Sequence, residues 1–125
     1  ESLYADYPLV FVTGPDRRDV DLTISQIHTH KIRGASVVVI AEEDERLRAA
    51  AMHAPAGKDG YLCDYIALPK TGDTLQTVFS SSVALQLLAL RMSERKLAYL
   101  DGIGAPSHGV HPDVPKNVSK SITVD

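Results

Sequence analysis

The sequence predicts an α/β domain built on a parallel sheet, and two observations carry that expectation. Three short runs rich in β-branched residues, at 8–13, 36–41 and 61–68, are each followed by a segment of helical apolar periodicity. The runs are nearly continuous in apolar residues, as strands buried on both faces must be. Strands that alternate with helices join into a parallel sheet through right-handed crossovers.

Each element follows from its residues. Pro8-Leu9-Val10-Phe11-Val12-Thr13 is the first strand, and Gly14-Pro15-Asp16 breaks it. Asp16 is placed to cap a helix with Val20, Ile24 and Ile27 on one face, and Gly34 to end that helix in the left-handed conformation. Ser36 to Ala41 forms the second strand, and 42–53 a weaker helix whose apolar face is mostly alanine around Leu47. Tyr61 to Leu68 forms the third strand, closed by Pro69. Thr71-Gly72-Asp73 then opens the longest helix, over 73–97, with Leu75, Phe79, Val83, Leu87 and Leu90 as its expected core face. That pattern makes Leu87→Ala a costly buried truncation. The Gly- and Pro-rich residues 98–115 read as a loop, and 116–125 as a patterned tail. Three strands make a narrow sheet. The expectation is therefore that part of the domain precedes Glu1, and that strand 8–13 presents an apolar edge through which the chain associates.

Composition narrows the function classes. The 125 residues are 44% hydrophobic and 23% charged, ordinary globular usage, and the formal net charge of −3 without a Lys/Arg run argues against a nucleic-acid binder. The longest apolar run is too short to cross a bilayer, and residues 1–8 carry no signal-peptide pattern. The single cysteine, Cys63, sits in an apolar run and reads as a buried free thiol, which fits a cytoplasmic protein.

Several residues invite chemistry and have a plainer reading beside it. His28 and His30, two apart on a helix, point to different faces and read as solvated. His108, His111 and Asp113 could converge on one ion from a loop, but a polar loop set by its prolines accounts for them, and no metal is assigned. Ser80-Ser81-Ser82 lies inside a helix, where close packing explains small residues better than phosphate binding does. Thr13-Gly14 follows a strand but is neither a dinucleotide fingerprint nor a P-loop, and supplies no carboxylate of the kind a phospho-acceptor domain places there.

Two segments carry a resemblance. Val83-Ala84-Leu85-Gln86-Leu87-Leu88-Ala89, and Lys116-Asn117-Val118-Ser119-Lys120-Ser121-Ile122-Thr123-Val124-Asp125, resemble the last helix and C-terminal tail of the glucosamine-6-phosphate synthases, the glutamine:fructose-6-phosphate aminotransferases. That family closes with V-P-L-Q-L-L-A and D-x-P-R-N-L-A-K-S-V-T-V-E. This chain differs by Ala84, Lys116 and Ser119, and by a longer loop over 101–112. The resemblance covers the chain as the end of the second sugar isomerase (SIS) domain. It implies a flavodoxin-like sheet, of which 1–97 would hold the last three β-α units, followed by loop 98–115 and an active-site tail at 116–125.

The resemblance also implies a function. Lys120 would be the catalytic residue that meets the carbonyl end of the sugar, since an amine can trap an open-chain ketone as a Schiff base or polarise it. Ser119 would help bind the substrate, fructose 6-phosphate or glucosamine 6-phosphate. The glutamate base, the ring-opening histidine, the phosphate grip and the glutaminase cysteine would lie in the remainder of the parent enzyme. The isolated chain would then be inactive, with no cofactor, and the parent a homodimer through its SIS domains. A sugar-phosphate-binding SIS module that regulates or scaffolds without catalysis is the alternative.

Overall fold

In a computed structural model that describes residues 8–57 and 59–105, the three strands lie side by side in chain order. The elements run β1 (Leu9–Val12), α1 (Arg17–Ile32), β2 (Val37–Glu42), α2 (Glu45–Met52), β3 (Cys63–Leu68) and α3 (Thr74–Gly102). Both pairings are parallel, with Leu9 opposite Val37 and Val37 opposite Cys63. The α/β frame with a parallel sheet is therefore present, with β2 in its centre and β1 and β3 at its edges.

The core forms where α1 and α2 cover one face of β2. Val37, Val39 and Ala41 alternate onto that face and meet Val20 and Ile27 of α1, Leu47, Ala50 and Ala51 of α2, and Tyr65 of β3. The alanines expected to make α2 weak are what let it sit close: Ala50 and Ala51 are buried with Leu47. Gly34 ends α1 as expected, at φ 94°, with its N–H donating to the Lys31 carbonyl at 2.9 Å.

Lys31 is buried, which its position in a polar helix did not announce. Its ammonium donates to the carbonyls of Ala50 and His53 at the end of α2 and lies 5.2 Å from the centre of the Tyr61 ring. A side chain of α1 thereby satisfies orphan carbonyls of α2. Burial pulls the Lys31 amine below its ordinary value, against the nearby Cys63 thiol, and burial pushes the Tyr61 phenol up to about 12. The Tyr61 hydroxyl donates to the Ala51 carbonyl at 2.5 Å.

Six expectations need correction. The Asp16 side chain does not cap α1; its carboxylate accepts from the Thr74 hydroxyl at 3.3 Å. Residues 42–44 precede α2, which Asp44 caps by accepting from the N–H groups of Arg46 and Leu47. Cys63, opening an edge strand, is only half-buried. His30 is half-buried too, its ring centroid 6.2 Å from that of Phe11. Finally, α3 continues through 98–102, and its expected core face is exposed: Phe79 is 67% and Leu87 56% accessible, with Leu75, Val83 and Leu90 similar. The helix is apolar nearly all round from Val83 to Leu90, so periodicity could not choose a side. The side that turns inward is marked by Thr77 and Ser81.

The described residues divide between Ser82 and Val83 into two units. Among the described residues, no helix is long and apolar enough to cross a membrane.

The burial pattern makes a direct stability contrast. Ile27, fully buried, should lose about 2–5 kcal/mol on truncation to alanine. Leu75, 64% exposed, should lose less than about 1 kcal/mol. Urea unfolding of the two variants checks the assignment, and a larger loss at Leu75 would reverse it.

Candidate functional site at the carboxyl ends of the strands

The three loops that leave the strands at their carboxyl ends enclose a cleft of about 250 Å³. Gly14 and Pro15 come from the loop after β1, Glu42 to Asp44 from the end of β2, and Lys70 and Gly72 from the loop after β3. Parallel α/β sheets place their ligands in this position. A Cβ at Gly14 would stand in ordinary contact, 3.4 Å from the Thr74 methyl and 3.7 Å from an Asp19 carboxylate oxygen.

Glu42 organises the cleft. It ends an otherwise apolar strand and is buried, yet its carboxylate accepts from the Thr71 N–H at 2.9 Å and the Thr71 hydroxyl at 2.6 Å. It accepts further from the Gly72 N–H at 3.1 Å and the Thr77 hydroxyl at 3.2 Å. Gly72 meets it at φ 66°, a conformation that side-chain-bearing residues rarely adopt. Burial opposes ionisation of Glu42, but the bonds from Thr71, Gly72 and Thr77 outweigh it and hold the carboxyl below its ordinary value.

The neighbouring acids are also engaged. Both oxygens of Glu43 accept from the Arg48 guanidinium at 2.6 Å, a bidentate pair that lowers the Glu43 carboxyl. Asp44 is occupied by its cap. For Asp44 burial again opposes ionisation, and the Leu47 N–H, Arg46 and the Arg46 N–H outweigh it. Asp73 accepts from the N–H groups of Leu75 and Gln76 at the start of α3. At the starts of α2 and α3 the backbone donors that a phosphate would need are therefore taken by the chain's own carboxylates. Lys70, exposed at the rim, pairs with no described acid.

A second hollow, about 520 Å³, lies open between α1 and α2, where His28 and His53 face an Arg46–Asp21 ion pair of 2.7 Å. The His53 ring contacts the Ala49 carbonyl at 2.8 Å through Nδ1. Among the described residues no group of three or more His, Cys, Asp or Glu could hold a metal. Ser81 is buried and its hydroxyl bonds the Val78 carbonyl, which accords with a packing role for the serine run.

Ser119 and Lys120 lie outside the described residues, as do His108, His111 and Asp113. Glu42 was missed because residues 42–44 read as the start of a helix. Its signal was a lone carboxylate ending the run Val37 to Ala41, with Thr71-Gly72 placed after the next strand. No family model matches the chain, and no curated protein or solved structure is significantly similar to it.

Glu42→Gln should cost about 3 kcal/mol, because it removes the charge from a buried carboxylate with four donors aimed at it. The native carboxyl is held below its unfolded value, so its contribution is present above that unfolded value and is lost as pH falls through the lower native one. Urea midpoints measured across the acid range should fall less steeply for Glu42→Gln than for the wild type. Equal slopes would show that the carboxylate is not the clamp.

Proposed function

We propose that the chain is the C-terminal isomerase segment of a glutamine:fructose-6-phosphate aminotransferase, part of an SIS domain that acts on a sugar phosphate. The observation that carries this reading is the pairing of the Val83-Ala84-Leu85-Gln86-Leu87-Leu88-Ala89 helix with the Lys116–Asp125 tail, after three parallel β-α units. The cleft supports it: its loops are fixed from within by Glu42, Asp44 and Asp73, so they can offer walls and the Lys70 ammonium to a ligand. The phosphate grip then falls to the remainder of the parent enzyme, as does the proton-transfer base. In this reading the tail closes over the sugar, and the Lys120 amine meets the open-chain ketone at C2. The parent is a cytoplasmic homodimer. A binding module without catalysis is favoured by one observation, that Glu42, Glu43 and Asp44 are all committed to structural bonds and leave no spare base among them.

The test is Lys120→Ala in the enzyme that carries this segment. Conversion of fructose 6-phosphate should fall by orders of magnitude while glutamine hydrolysis survives. Lys120→Arg keeps the charge but cannot form a Schiff base, so it separates electrostatic binding from covalent engagement. Borohydride trapping with fructose 6-phosphate should mark Lys120 in peptide mass maps. Normal turnover of Lys120→Ala would refute the role.

A further inference from the structure

Two imidazoles in the hollow between α1 and α2 take no part in the core or in the cleft. His28 lies on the side of α1 that carries Asp21 and Ile24, and His53 follows Ala49 and Ala50 at the end of α2. The turns that bear them touch. Lys31, one turn beyond His28, donates its ammonium to the carbonyls of Ala50 and His53. His53 is set as a ligand. Its Nδ1 stands 2.8 Å from the Ala49 carbonyl, which can only accept, so in the neutral ring the proton sits on Nδ1 and Nε2 keeps its lone pair. A backbone carbonyl on the second ring nitrogen is how metal-binding histidines are commonly oriented. The His53 backbone is pinned as well, its N–H donating to the Ala49 carbonyl at 3.2 Å and its carbonyl accepting from Lys31. His28 is exposed, and no described group bonds its ring.

We propose that His28 and His53 form a two-histidine site for a late first-row divalent ion, with water filling the remaining coordination positions. The donor set selects the ion. Neutral imidazole nitrogens suit Cu²⁺, Ni²⁺ and Zn²⁺, whereas Mg²⁺ and Ca²⁺ require oxygen ligands. The carboxylate that lines the hollow, Asp21, is held by Arg46 at 2.7 Å and gives no third ligand, in keeping with the absence of any described group of three. An anion is the poorer fit, because the Arg46 guanidinium is shared between Asp21 and Asp44 and has no charge to spare. An ion held from both helices would tie the end of α2 to α1 at the point where Lys31 already joins them. The site is independent of the sugar-phosphate reading and stands or falls without it.

Titration of the chain with Zn²⁺, followed by proton–nitrogen NMR of the imidazole rings, tests it. A His108→Ala/His111→Ala background removes the other histidines that invite a metal. In that background Zn²⁺ should move the His53 Nε2 signal and one ring nitrogen of His28 together, saturating at one ion per chain, and Mg²⁺ should leave both unmoved. Cu²⁺ should displace Zn²⁺, as its higher affinity for nitrogen ligands requires. His28→Ala and His53→Ala should each weaken Zn²⁺ binding about tenfold or more with circular dichroism unchanged, while His30→Ala, which removes the ring beside Phe11, should leave it intact. The ring signals are read on native His28 and His53, so the result does not depend on how the variants fold. A His53 Nε2 that ignores Zn²⁺, or an affinity indifferent to either His28→Ala or His53→Ala, would overturn the proposal.

Discussion

A buried carboxylate at the end of the central strand holds the carboxyl end of the sheet together. Glu42 reaches from β2 to the N–H groups of Thr71 and Gly72 in the loop after β3 and to the Thr77 hydroxyl in α3. The strand positions it, since Glu42 pairs with Leu68 at the last rung of the β2–β3 ladder. The Tyr65 hydroxyl secures the same point by donating to the Glu42 backbone carbonyl at 2.6 Å. Burying a charge is costly unless it is fully bonded, and here the bonding is dense enough to keep it ionised.

The opposite end of the sheet uses a cation in a comparable way. Lys31 closes the last turn of α2 from α1, and Tyr61 joins it by bonding the Ala51 carbonyl. Between the two clamps the core is plain aliphatic packing of Ile27, Val37, Val39 and Leu47. The anionic clamp has a functional consequence that the cationic one lacks. Glu42 takes the loop N–H groups of Thr71 and Gly72 while Asp73 takes those of Leu75 and Gln76 at the start of α3, which leaves a fixed, shaped wall with Lys70 at its rim.

The sheet was legible because its signal is redundant: three β-branched runs, punctuated by Gly14-Pro15, Gly34 and Pro69, leave little choice of strand or order. The inward side of α3 was not legible, because Val83 to Leu90 offers apolar residues on every side and the choice is made by Thr77 bonding Glu42. Nor were the clamps. A Lys in a polar helix and a Glu before Glu43 and Asp44 look like surface residues until the fold brings carbonyls to one and N–H groups to the other. The functional reading of Lys120 came from resemblance in the tail rather than from periodicity, and the residues that carry it fall outside the described part of the chain.

The account turns on Glu42 being ionised inside the protein, and carboxyl carbon NMR across the acid range measures that directly. The account predicts a Glu42 midpoint below the ordinary value of 4.5, with the amide signals of Thr71 and Gly72 moving at the same midpoint. A midpoint above 4.5, or amides of Thr71 and Gly72 that ignore the titration, would mean that burial outweighs the bonds and that the clamp does not hold the cleft.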